Sequence, residues 1–467
     1  MMTSMSFSHR DFLTALRVKL RLLTSLVALV GLVLLLGACA ATGPTPTTSQ
    51  PPSETPAALA TISLASPTAE PFNGSVTLTY WNGFTASDRP VMENTVAVFN
   101  NTHPNIQIQM DIEPWDTLYQ KLLPSMKSGG DPDIVSLEQT VLPQYASAGV
   151  LTPVDDLWNG GGLDPQDYSD GVMSGMTYDS HVYGAPIIYY TTLLYRNKDL
   201  FKAAGLNPDT CPADWQEWEA DILKLTIDSN HDGTPEQYGF DWGDHAAVSM
   251  WPPIVWGGGG DFISADGKTS MLDDPKTVAA ITEWADLIRD KHILPLGLSG
   301  VEADNLFQAG KAAMEISGPW VSTGFHDAGV NFDICQIPAG PVGRFTQGSG
   351  VYLTVNSAVK SREAAYQFMR FWQSDWAQVN WSSHTGYPPT RPALADNSEI
   401  KTNPYVQAFA DSAPYARAYL PGVVQFSKID GDIITPAILS IALGEKSAED
   451  ALKAAADQMN QVLAGGS

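Results

Sequence analysis

Cysteine is scarce in this chain, with three in 467 residues. That excludes a disulfide-dense scaffold and any Cys-rich zinc module. Basic residues are outnumbered, 26 Lys and Arg against 51 Asp and Glu, giving a formal net charge of −25. Nucleic acid needs a basic face, so this balance argues against it, and no nucleic-acid partner is expected. The conspicuous apolar run, Leu22 to Leu36, has 15 residues, short of the ~20 a spanning helix needs. Catalytic signatures are missing too: there is no Gly-x-Ser-x-Gly, His-Glu-x-x-His, Gly-x4-Gly-Lys or Gly-x-Gly-x-x-Gly. The eight His are scattered without metal-ligand spacing. Asp and Glu are plentiful enough for a glycosidase pair, but spacing alone identifies none.

What is present begins at the N-terminus. Arg10, Arg17, Lys19 and Arg21 precede the apolar run, and Leu36-Gly37-Ala38-Cys39 follows it. This is the three-part build of an export signal, with small residues at the cleavage point. A Cys directly after them resembles the lipobox of bacterial lipoproteins. The expectation is a signal peptide over 1–38, lipid on Cys39, and a protein exported and anchored on the outer face of the cell membrane. Residues 39–73, rich in Thr, Pro and Ser, read as a disordered linker. In an oxidising compartment Cys211 and Cys335 are expected to pair, the alternative being two buried thiols.

The remaining 74–467 has room for a large core, and its 44% apolar content suits a globular protein. Alternation predicts strands at 75–81, Ile106 to Ile112 and Pro132 to Val135. Helices are predicted from Val91 to Asn100 and Thr117 to Ser128, then near 214–226, 275–291, 302–310, 361–382 and 446–464. Alternating strand and helix signals predict an α/β fold with mainly parallel sheets.

A series of blocks runs through this region. They are Thr79-Tyr80-Trp81-Asn82-Gly83-Phe84, Gly130-Asp131-Pro132-Asp133-Ile134-Val135, Tyr183-Gly184-Ala185-Pro186, and Leu194 to Phe201 with Ala213-Asp214-Trp215. Further on come Phe307 to Met314, Gly318-Pro319-Trp320 and Leu443 to Leu452. In this order they resemble the extracellular solute-binding proteins of ABC importers, the maltodextrin-binding type. The resemblance implies a periplasmic-binding-protein-like fold of two α/β lobes around a multiple-crossing hinge. It places lobe 1 at about 74–188 and 350–395, and lobe 2 at about 189–349 and 396–467. It also implies a carbohydrate ligand, an ABC permease as partner, a monomer, no catalysis and no required cofactor.

Thirteen Trp suggest flat faces for sugar rings, with neighbouring polar groups for hydroxyls. Trp81, Trp251, Trp256 and Trp320 are expected as stacking platforms, with Phe84 beside them. Asn82, Glu138, Gln139, Tyr190 and Asp261 are expected as polar partners, and Gly258 in a Gly run is expected to admit close backbone approach. Asp228, Asn230, Asp232, Thr234 and Glu236 have the alternate spacing of half an EF-hand loop, but Gly239 stands where the bidentate Glu would be. A structural calcium site and a metal-free Asx-rich turn both stay open. Three functional classes are carried: a sugar-capturing importer subunit, a lipid-anchored glycoside hydrolase, and a surface sensor or adhesin without transport. Within the first, a glycerol-phosphate diester or another polyol is a further candidate ligand.

Overall fold

The computed structural model describes residues 62–243 and 251–465. The expected export signal and Cys39 lie outside these residues. Two sheets organise the chain. In the larger, strands Val76–Asn82, Ile106–Ile112 and Ile134–Glu138 run parallel, with Val76–Asn82 in the middle. Strand Thr346–Val355 lies antiparallel to Ile134–Glu138 and to Gly184–Thr191, and its start pairs with Ala416–Arg417. The smaller sheet has Leu193–Asn197 between Met314–Ser317 and Phe332–Cys335, both antiparallel to it. Isolated parallel bridges at Tyr238 and Asp241 extend it beyond Met314–Ser317.

The fold is therefore two-lobed α/β, but its strand directions are mixed rather than mainly parallel. The physical reason is the hinge. Strands 184–191 and 346–355 carry the chain between lobes in opposite senses, so they pair antiparallel. Only Thr192 separates the two sheets at the first crossing. Its N–H donates to the Gln347 carbonyl at 3.2 Å, and its hydroxyl meets that of Thr346 at 3.2 Å.

Helices form where apolar residues recur on one face. Helix Arg89–Thr102 buries Val91, Met92, Thr95, Val96 and Phe99. The expected helix over 361–382 is two helices, Arg362–Trp372 and Asp375–Thr385. Ser374 divides them, its hydroxyl accepting the Ala377 N–H as a new N-cap. The expected linker also ends earlier than residue 73. Ile62 is buried, and Glu70 forms a two-pronged ion pair with Arg370 at 2.6–2.7 Å. Apolar Ile62, Leu64 and Phe72 give this stretch area to bury, which the preceding Thr/Pro run lacks.

Two of the sequence blocks prove to be structural devices. Asp133 accepts N–H groups from Thr79 and Lys360 and pairs with Lys360 Nζ at 2.8 Å, locking a strand to the loop after 355. Fully buried Arg196 pairs with Asp333 at 3.0 Å across the small sheet. Beside it Cys211 and Cys335 are joined as a disulfide. Among the described residues no helix is long and apolar enough to cross a membrane.

Candidate functional site

A cavity of about 270 Å³ opens between the two sheets, near the small end of the ~300–1,000 Å³ usual for small-molecule sites. The large-sheet side contributes Phe84, Asp88, Trp115, Glu138, Tyr190 and Tyr387. Ser299, Asp304, Glu315 and Trp320 face them from the small-sheet side. Strand Val76–Asn82 delivers Phe84 at its C-terminal end, where ligand-facing residues of parallel sheets belong. Glu138 ends its strand in the same way.

Two glycines give the indoles their places. A Cβ on Gly83 would stand 2.0 Å from the Trp115 ring, and one on Gly318 would stand 1.9 Å from the Trp320 ring. Trp115 then packs edge-on to Phe84, with centroids 5.6 Å apart. Trp320 packs edge-on to Tyr190 at 5.4 Å. The result is an aromatic wall on either side of the cavity.

The polar lining is acidic. Among the described residues that line the cavity there is no Lys, Arg or His. Glu138 accepts the Tyr119 hydroxyl at 2.9 Å. Burial pushes Asp88 up to about 7, against the lowering pull of nearby amides and the Tyr387 hydroxyl. Burial likewise raises Asp304 to about 6. Glu315 is driven well upward by burial and then by the charges of Asp304 and Asp241.

Four of the expected binding residues share this cavity: Phe84, Glu138, Tyr190 and Trp320. Asn82 is wholly buried just behind it, its side-chain oxygen accepting the Phe84 N–H at 3.2 Å. Gln139 turns to the Tyr352 hydroxyl at 3.4 Å, and half-buried Trp81 lies under Lys121 with Nζ 4.2 Å from the ring. Trp251, Trp256 and Gly258 do not face the cavity. Trp251 is a core residue packed on Trp242 at 5.0 Å. Gly258 admits a neighbouring helix, since a Cβ there would meet that of Ala280 at 2.6 Å. Trp256 donates to Asp261 at 3.1 Å, and Asp261 pairs with Arg417 at 2.6 Å in a separate depression.

The Asp228–Glu236 loop closes on its own amides. Ser229 donates to Glu236, Asp232 to Asn230, Gly233 to Asp228 and Thr234 to Asp232, all at 2.8–3.0 Å. Among the described residues no three His, Cys, Asp or Glu side chains are placed to hold a metal ion.

Sequence reasoning missed Trp115, Asp88, Ser299, Asp304, Glu315 and Tyr387. Glu315 had left a signal, as a charged residue inside the apolar run Ala312-Ala313-Met314-Glu315-Ile316.

The fold and sequence have known counterparts. A putative binding protein of Brucella abortus (strain 2308) is 30% identical over 394 residues, covering 81% of this chain and 91% of that protein. The maltooligosaccharide ABC transporter solute-binding lipoprotein of Streptococcus pneumoniae (strain R6) is 27% identical, covering 73% of this chain and 79% of that one. An ABC transporter solute-binding protein of Thermotoga lettingae, solved with α-D-tagatose, superposes with a TM-score of 0.76 at 24% identity, covering 83% of this chain and all of that one. The pattern described as bacterial extracellular solute-binding protein matches residues 81–379, and the chain belongs to that family.

Proposed function

We propose that the protein captures a carbohydrate, an oligosaccharide, between its lobes and hands it unchanged to an ABC permease. The observation that carries this reading is the pairing of aromatic walls with carboxylates in one inter-lobe cavity. Aromatic faces suit the C–H faces of pyranose rings, and carboxylates accept hydroxyl protons. The Streptococcus pneumoniae relative, a maltooligosaccharide-binding lipoprotein, supports the same ligand class. It also supports anchoring on the outer face of the membrane, which the Leu36–Cys39 block suggests for this chain. Closure of the lobes around ligand gives the permease a shape to read.

A thermal-shift screen against mono- and oligosaccharides tests the reading, because a ligand that binds only the native state raises the midpoint. A sugar that raises it and is recovered intact after prolonged incubation supports capture. Release of reducing ends would favour a glycoside hydrolase instead. A blank screen across sugars and polyols would remove the proposal.

A further inference from the structure

Three carboxylates from distant parts of the chain meet at the small-sheet wall of the cavity. Asp241 and Glu315 sit opposite each other across a parallel bridge, with the Asp241 N–H donating to the Met314 carbonyl at 2.9 Å. Asp304, on helix Gly300–Gln308, accepts the Ser317 hydroxyl at 3.3 Å and faces Glu315. Asp241 is 0% exposed and Glu315 1%. Both Asp241 oxygens and Glu315 Oε2 are buried without a hydrogen-bond partner, although Glu315 and Asp304 line the cavity. Buried like charges repel, and an unpartnered buried carboxylate is costly, so the empty cluster retains protons, and a cation placed against it would favour its ionised form.

Among the described residues the cavity lining supplies none. No Lys, Arg or His stands on it, and among the described residues no three His, Cys, Asp or Glu side chains are placed for a metal ion. We infer that the compensating charge comes with the ligand, as a free ammonium group on a sugar ring docked against Glu315 and Asp304. This rests on the carbohydrate reading and narrows it to amino sugars. An ammonium brings three donors, and Glu315 Oε2 on the cavity wall lacks one. Tyr190 and Trp320 line the same cavity from opposite sides, and aromatic faces attract cations as well as sugar rings. A hydroxyl at the same place can donate one hydrogen bond but brings no charge to favour the ionised carboxylates.

The test is calorimetric titration of the protein at pH 6 and physiological salt with β-1,4 glucosamine oligomers of two to four units. Their N-acetylated and plain glucose counterparts serve as neutral controls. The amine series is expected to bind at least tenfold tighter than either control. Glu315→Gln should abolish that preference, read as the ratio of amine to neutral-sugar affinity so that any loss common to both cancels, and Asp304→Asn should do the same should the first variant fold poorly. Equal affinity of amine and neutral sugars in the parent would overturn the inference and leave the carbohydrate reading standing. A preference that persists in both variants would also overturn it, since attraction by the net negative surface would then suffice. If no series binds and the wider sugar screen is blank, both readings fall.

Discussion

The Ser87 hydroxyl donates to the Trp320 backbone carbonyl at 2.6 Å, and Thr323 donates in turn to Ser87 at 2.8 Å. Ser87 belongs to the large-sheet side of the cavity and Trp320 to the small-sheet side, so this short chain of bonds is a latch across the cleft. Ser87→Ala should loosen the closed arrangement without touching the cavity lining. A neutral hydrogen bond is worth about 0.5–1.5 kcal/mol net, so ligand affinity should fall roughly twofold to tenfold. Small-angle scattering of the ligand-free variant should show a larger radius of gyration. Unchanged affinity and radius would show that the latch contributes nothing to closure.

The aromatic residues divide into two groups with opposite expected phenotypes. Trp115→Ala and Trp320→Ala should weaken sugar binding by about 1–3 kcal/mol, with stacking of bases on aromatic rings as a loose guide. Trp251→Ala should do the reverse, lowering stability by about 3–5 kcal/mol as a buried aromatic is lost, with affinity kept in whatever fraction stays folded. Chemical denaturation and titration of the same three variants decide the matter. A Trp251→Ala variant that is stable but does not bind would overturn this division.

The Cys211–Cys335 bond spans 124 residues and ties the loop after Leu206 to the edge strand Phe332–Cys335. In the chain-entropy model a loop of that length is worth ~4–5 kcal/mol. Unreduced, unfolded protein freed of residues 1–39 should show no titratable thiol, and reduction should lower the urea midpoint. Two reactive thiols before reduction would refute the pairing.

Anchoring is testable without structure. If Cys39 carries lipid, Cys39→Ser should move the protein from the membrane fraction to the soluble one. Membrane retention in that variant would remove the lipoprotein proposal.

The elements were legible because their signals are local. Alternation marks Val76–Asn82 and Ile106–Ile112, and apolar residues recurring on one face mark helix Arg89–Thr102. Phe84, Glu138 and Tyr190 were accessible to sequence reasoning for a related reason: strand ends and hinge crossings are where a two-lobed α/β fold exposes side chains. The Gly257–Gly260 run misled, because a glycine that lets backbone approach a ligand and one that lets helices touch look alike in sequence. Gly258 does the latter against Ala280. The carboxylates at 241, 304 and 315 left no joint signal. Their meeting depends on a bridge and a helix position that only the assembled small sheet defines.

Those carboxylates also dictate a pH response. Burial raises Asp304 to about 6, and Glu315 and Asp241 are driven upward by burial and by neighbouring charge. Their unfolded values lie near 4. Between about pH 4 and 7 the folded chain therefore holds more protons on these groups than the unfolded chain. By linkage their contribution to stability falls as pH rises through that window; for Asp304 the fall ends above about 6, and for Glu315 and Asp241 it continues until pH passes their raised values. Asp133 acts in the opposite sense: burial alone would raise it, but Lys360 and the Thr79 amide hold it below the usual carboxylate range. Its contribution is present above the unfolded value and is lost on acidification, so the parent curve mixes the two effects. The difference between parent and variant separates them. Glu315→Gln should be no more stable than the parent near pH 4 and progressively more stable towards pH 7, with Asp304→Asn following the same trend. Urea midpoints of ligand-free protein at half-unit steps of pH measure it. A stability difference that stays flat with pH would mean that these carboxyls titrate alike in the folded and unfolded chain.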